Sequence, residues 1–468
     1  MRPGKPSRTL VSEGTGPRRM AVSDRSRGSP SQQQVQKAAS LLLLAALALS
    51  TGCDLLDTDQ PNILEPDDVE SEAGAEARRV GAISDFAFAQ DGDGREYGHS
   101  HLSGLMSDEF MLSTTPPTAQ QVDQRRVFED NVTVFGTFHY LHRARAAAED
   151  AASTLQRFRP DPAIDAGIGE MLSLAGFTYI FFGESFCSGV PFSRLQGDEV
   201  VFGQPQTTQQ MFQTAVSRFD AALADPGAVA EESQQIAHLA SVGKGRALLD
   251  QGLFAEAAAA VALVPTDFQY VTEHAESPLR LQNFLYNFSV GWQWSVSDRE
   301  GGVGLPFRSA EDPRVPYFDE ESAGLDNTTR QFTLLKYPSA GAPVVVADGI
   351  EARLIGAEAL LQLSDLAGMT TILNDIRTAR DIDPVDPVGT LDEGVDVLFR
   401  ERAFWMFATG HRLGDMRRLI RQYSRSTDEV FPTGIYLKGG SYGNDVNLPM
   451  PKEEGNNPNF VGCLDRNA

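Results

Sequence analysis

The chain has 468 residues, 41% of them hydrophobic, which suffices for a sizeable buried core arranged as two or three domains or as one large helical solenoid. Its 40 Lys and Arg against 64 Asp and Glu leave a net charge of −24, which repels a phosphate backbone and excludes nucleic acid as a partner. Three cysteines, Cys53, Cys187 and Cys463, are too few and too scattered for a disulfide framework or a zinc site.

The first signal in chain order is an address. Leu41 to Leu49 run without a polar residue, under half the length that crosses a hydrocarbon core of about 30 Å, so they form no transmembrane anchor. With Lys37 ahead of them they fit a signal-peptide core, and "LSTGC" sets small residues before Cys53 in a pattern that resembles a lipobox. Residues 1–52 are then a leader that is removed, Cys53 is the lipidated first residue, and 53–66 are an acidic tether. The alternative is cleavage after "ALS", 48 to 50, which releases a soluble secreted chain. Translation from Met20 or Val35 shortens an otherwise long polar lead, and Asp54 leaves the choice between inner and outer membrane open.

Beyond the tether, 67–468 are expected to fold as a single, mainly α domain. Asp67 to Phe88 predict a first helix, and 139 to 158 a second that ends before Pro160. "AIDAGIGEMLSLAGFTYIFFGESF" and "TTQQMFQTAVSRFDAALADPG" predict a helix pair, the latter opened by a threonine cap. Residues 235 to 265 alternate Ala and Gly at steps of three and four, turn at Gly252 and close at Pro265, as a tetratricopeptide hairpin does. The stretch 349 to 380 repeats that logic, with a break at Asp365 to Gly368. One hairpin cannot bury its own face, so several stack into a curved scaffold, interrupted by loop-rich insertions near 90–120 and 266–345 and followed by an irregular tail, 424–468.

Candidate chemistry is sparse. "GESFCSG", 183 to 189, has Cys187 where a nucleophile elbow requires glycine, so no serine hydrolase is expected. Cys187 and Cys463 remain after lipidation and form a candidate export-compatible disulfide, the alternative being two free thiols. "QDGDGREYGHSH", 90 to 101, has too few ordered oxygens for calcium and no third zinc ligand, and is expected to be a solvated loop; His139 and His142 are likewise not ligands. No metal is expected. Glu401, Arg402, Arg412 and Asp415, with Arg417 and Arg418, are expected to form ion pairs that fix helix packing rather than to do chemistry. Trp292 and Trp294, two of three tryptophans, fall on one side of an extended segment, and with Tyr97 they are the candidate ring faces for stacking a sugar. The competing assignment packs them onto the scaffold.

In order along the chain, "CDLLDTDQP", "LSGLMSDEFM", "FHYLHRARAAAED", "SAEDPRV", "RLIGAEALLQL", "ILNDIRTAR", "FRERAF", "GHRLGDMRR" and "NLPMPKEEGNNPN" resemble the SusD/RagB family of outer-membrane nutrient-binding lipoproteins. The resemblance covers essentially the whole mature chain; Trp405 and Thr409 depart from it, standing where the pattern usually has glutamates. It implies a lipid-anchored, cell-surface protein of the outer membrane that captures an oligosaccharide or peptide and passes it to a TonB-dependent, SusC-like transporter barrel, without catalysis or cofactor. A helical-repeat scaffold that binds only proteins, or an assembly factor at the outer membrane, is the alternative, and the aromatic, Gly-rich stretch 283 to 318 is what such a scaffold would not need.

Overall fold

In the computed structural model the described residues are 70–468, apart from 160, 162–164 and 197–198. The chain divides into Met1–Leu64 and Glu65–Ala468, and the expected leader, the lipidation site Cys53 and the tether 53–66 lie outside the described residues.

Helix α1 (Glu72–Asp91) starts later than 67 because Ser71 supplies the cap, its hydroxyl accepting from Gly74 N at 3.0 Å. It runs past 88 because its last turn is buried. A short α2 (His99–Met106), strand β1 (Phe110–Leu112) and α3 (Pro117–Asp123) follow. Helix α4 (Val132–Phe158) begins before the expected 139, since Asn131 accepts from Val134 N at 3.0 Å and overrides the weak helix propensity of "VTVFGTF".

Helix α5 (Gly167–Ser185) is buried along almost its whole length. Beyond the short strands β2 (Val190–Pro191), β3 (Arg194–Gln196), β4 (Glu199–Val201) and β5 (Pro205–Gln206) comes α6 (Thr208–Leu223). These two helices interlock: a Cβ on Gly176 would stand 2.7 Å from the Phe219 ring and one on Gly183 2.5 Å from Phe212, so the glycines are the sockets for the two phenyl rings. The predicted hairpin is α7 (Gln234–Asp250) and α8 (Phe254–Val261), joined through Gly252 at φ +75°.

The second insertion carries β6 (Gln269–Thr272), α9 (Phe284–Val290), β7 (Trp294–Val296), β8 (Tyr317–Ala323), β9 (Arg330–Leu334) and β10 (Val344–Asp348). Asp348 then caps α10 (Gly349–Gln362), and Asp365 caps α11 (Leu366–Thr378) by accepting from Gly368 N at 2.8 Å. The chain ends with α12 (Leu391–Trp405), α13 (Arg412–Tyr423), a four-residue α14 (Thr427–Val430) and irregular backbone.

The class is mainly α. Five two-stranded antiparallel sheets occur among the described residues: β1 with β7, β2 with β5, β3 with β4, β6 with β10 and β8 with β9. The β1–β7 ladder sets Leu112 opposite Trp294 and ties the two insertions together. One hydrophobic core runs from α1 through α9 to α13, and a smaller one, around Leu354, Leu373 and Leu398, glues α10, α11 and α12.

The expectation of a solvated loop over 90 to 101 holds for 93–96 and is overturned at both ends. Asp91, His99 and His101 are buried, Asp91 Oδ2 accepting from Phe284 N at 2.9 Å and His101 Nε2 lying 3.2 Å from Phe284 O. Between them Gly92 and Gly94, both at positive φ, turn the chain, and Asp93 stays half-buried, accepting from Arg95 N at 3.0 Å.

Candidate functional site

The arginine-rich motif at α13 is a set of buried clasps. Arg402 meets Asp415 through two bonds of 2.9 Å, and Arg418 reaches the same carboxylate at 2.8 Å. Glu401 receives Arg314 at 2.6 Å and Arg377 at 2.5 Å. Arg417 Nη1 donates to the Gly183 and Glu184 carbonyls at the C-terminus of α5, at 2.8 and 2.7 Å. These side chains are buried and bound mainly to one another and to backbone carbonyls, Arg402 Nη1 and Arg417 Nε excepted, so the motif presents no reactive group to solvent. Gly410, at φ +83°, lets the chain pass His99, whose Nδ1 would stand 2.7 Å from an added Cβ.

The aromatics nominated from sequence separate. Trp294 has 0% exposure and stacks on Phe110 with ring centroids 3.9 Å apart, so it has no face left for a ligand. Tyr97 is buried edge-on against Phe288 at 5.1 Å, its hydroxyl donating to Gln293 Oε1 at 3.3 Å. Both are core residues: Trp294 lies on a strand buried at all three positions and paired to β1, and Tyr97 packs on α9. Trp292 sits just before that strand at φ +57°, outside extended geometry, which removes the expected shared side; it alone of the three stays half-buried.

An open cleft of about 610 Å³ brings the two insertions together: Asp93 and Arg95 from the first, Pro278 and Arg280 from the second, over Phe88 and Tyr140. The Arg280 guanidinium lies 4.9 Å over the Phe88 ring. Burial, then a hydrogen bond to Asp93, pushes the Tyr140 hydroxyl up to about 12, so it is a neutral donor at neutral pH. Arg143 is engaged by Asp85 at 2.6 Å, whereas Arg95 and Arg280 have no ion-pair partner among the described residues. A wider groove of about 810 Å³ between α4, α5 and α6 has no aromatic wall, and its charges neutralise each other, Arg159 with Asp225 and Arg218 with Glu149, both at 2.8 Å. Sequence reasoning passed over Phe88, Tyr140 and Arg280, since only tertiary packing joins them.

No family model and no curated protein sequence matches the chain. Solved structures do. A SusD superfamily protein from Bacteroides thetaiotaomicron VPI-5482 superposes with a TM-score of 0.64 at 14% identity, over 84% of this chain and 100% of that one. The chain has the SusD fold. Surface glycan-binding protein A from Bacteroides thetaiotaomicron also superposes on this SusD-like chain, with a TM-score of 0.64 at 14% identity, over 85% of this chain and 99% of its own. For a SusD-like carbohydrate binding protein from Bacteroides vulgatus ATCC 8482 the values are 0.60, 11%, 84% and 97%.

In this SusD-like fold Cys187 and Cys463 are joined by a disulfide that fastens the tail to the end of α5. Among the described residues no helix is long and apolar enough to cross a membrane, and no group of three His, Cys, Asp or Glu is placed to hold a metal ion.

Proposed function

We propose that this chain is a non-catalytic, lipid-anchored surface protein of the outer membrane that captures an oligosaccharide and delivers it to a TonB-dependent transporter. The observation that carries the reading is the convergence of both insertions on one cleft, where the half-buried Tyr140 ring lies beside the exposed guanidinium groups of Arg95 and Arg280. A sugar's CH face stacks on a ring while guanidinium and phenol groups hydrogen-bond its hydroxyls. The unpaired Arg95 and Arg280, in a chain of charge −24, favour a glycan with carboxylate or sulfate groups. Structural neighbours described as carbohydrate binding and surface glycan-binding support the same class.

Trp292 extends the proposed surface. Gly94 of the cleft abuts Phe284 at the start of α9, and Trp292 follows that helix's end, about 10 Å further on for seven residues. Titration calorimetry against acidic and neutral oligosaccharides tests the reading, with Tyr140→Ala and Arg280→Ala each weakening the best ligand about tenfold, or about 1.4 kcal/mol. Binding of peptides alone by the same cleft transfers the assignment to peptide capture. Copurification with an outer-membrane barrel tests the transporter, and acyl modification at Cys53 tests the anchor.

A further inference from the structure

Helix α4 carries an apolar strip that the core does not use. Val134, Phe138 and Leu141 turn inward and are buried, whereas Val132 is 64% exposed, Phe135 39%, and His139 lies open to solvent. At 3.6 residues per turn Val132, Phe135 and His139 fall on one side of the helix, away from the buried three. The Phe135 and His139 rings stand 6.2 Å apart and within 26° of parallel. The solvated side of a helix ordinarily carries charged or polar groups, so an apolar strip along the first two turns of α4 marks a contact surface.

The strip runs into the cleft. The His139 ring is 6.3 Å from that of Tyr140, which lines the cleft and lies 6.5 Å from Phe88. From Val132 to Tyr140 the helix advances about 12 Å, which roughly doubles the reach of a cleft whose Arg280 sits 4.9 Å over Phe88. Gly136 joins the two parts. A Cβ there would collide with the Glu96 carboxylate, so glycine is what lets that group rest on α4, one turn before Tyr140. Glu96 is half-buried, and its carboxylate has neither an ion pair nor a hydrogen-bond donor among the described residues.

The size of the strip decides between occupants. A stable protein partner needs about 800 Å² on each side, and three side chains do not reach that when even a wholly buried aromatic supplies about 150–250 Å². A sugar needs less: a ring face for its CH groups and an acceptor for its hydroxyls. Phe135 and His139 offer the first, and Glu96 the second.

We propose that this outer side of α4 is a second stretch of the glycan site, and that the ligand is a polysaccharide or long oligosaccharide that lies on Phe135 and His139 while another part of it occupies the cleft at Tyr140 and Arg280. The inference rests on the cleft's being the glycan site. Pectate, alginate, chondroitin sulfate, xylan and mannan are screened against the full chain by affinity electrophoresis, and the best binder is cut into a size series up to the octasaccharide for titration calorimetry. The expected affinity rises at least tenfold from the shortest member that binds to the octasaccharide. Phe135→Ala combined with His139→Ala removes that rise and leaves the shortest member unchanged, whereas Tyr140→Ala weakens every length. Leu263→Ala, at an exposed apolar residue just past α8, changes nothing. Equal affinity at every length, or a rise that survives the double variant, overturns the inference and leaves the cleft standing if Tyr140→Ala still weakens binding. A double variant that loses copurification with a barrel while keeping every sugar affinity makes the strip a protein contact and also overturns it. If none of the five polysaccharides binds, the cleft reading and the inference fall together.

Discussion

Arg412 clasps Asp108 through two bonds, Nε to Oδ1 at 2.6 Å and Nη2 to Oδ2 at 3.0 Å, across 304 residues of sequence. Their side chains are 6% and 0% exposed, so removing one leaves the other charged, unpaired and out of water. Arg412→Ala is expected to cost about 3–5 kcal/mol in guanidinium unfolding, and Arg412→Lys to recover only part of that because an ammonium cannot make the two-pronged contact. Arg78→Ala, which breaks a pair to Asp150 whose side chains are 30% and 56% exposed, should cost less than about 1 kcal/mol.

The Cys187–Cys463 bridge closes a loop with a sequence separation of 276. Cross-links over long loops remove the most chain entropy from the unfolded state, and losing a native one commonly costs about 2–5 kcal/mol. The Cys463→Ser variant should unfold at lower denaturant by an amount in that range, with the tail cleaved first in limited proteolysis. Non-reducing peptide mapping of the parent protein should recover the two cysteines in one linked species, and two separate thiol peptides would refute the bridge.

The helical plan was legible because its determinants are local. Gly252, Asp365 and the small residues of 235 to 265 act within one or two turns, and their hairpin appears where the periodicity puts it. The ion-pairing of Arg402 and Asp415 was legible for the same reason, at thirteen residues apart on consecutive helices. What the pattern could not give was direction across long separations: that Asp108 belongs to Arg412, that Asp91 turns inward to cap α9 at Phe284, or that Phe88, Tyr140 and Arg280 form one cleft. Spacing nominated Trp292 and Trp294 together because it assumed extended backbone, and one residue at φ +57° undid the assumption.

These two tryptophans make the consequence measurable. Trp294 fills the core against Phe110, so Trp294→Ala should destabilise by about 3–5 kcal/mol through the cavity it leaves, and the folded fraction should keep its affinity for glycan. Trp292→Ala removes a half-buried ring at the proposed binding surface and should do the reverse, weakening oligosaccharide binding with a stability change below about 1 kcal/mol. Calorimetric titration and thermal unfolding of both variants give the four values, and an unchanged affinity in Trp292→Ala removes that residue from the surface.

Glu109 predicts the shape of the pH profile. Its Oε1 accepts from Ala408 N at 3.2 Å while Oε2 is buried without a donor. Burial pushes the carboxyl from 4.5 up to about 8 despite the pull of Arg412 and Lys336. The folded state therefore holds a proton that the unfolded state releases, so the stability from this group is complete below 4.5 and is lost as the pH rises to about 8. Lys336, pushed down to about 8 by its own burial, runs the other way: its stability is present above 10.5 and is lost as the pH falls through about 8. Glu109→Gln keeps the shape and the bond to Ala408 without the titration. It should therefore show a smaller loss of stability between pH 5 and pH 8 than the parent, by an amount on the order of a few kcal/mol. Asp348, raised to about 6, contributes a similar slope to both proteins, so their difference reports Glu109 together with the Lys336 ammonium it faces. Parallel profiles for the two would mean that Glu109 is ionised in the folded chain, held so by Arg412 and Lys336.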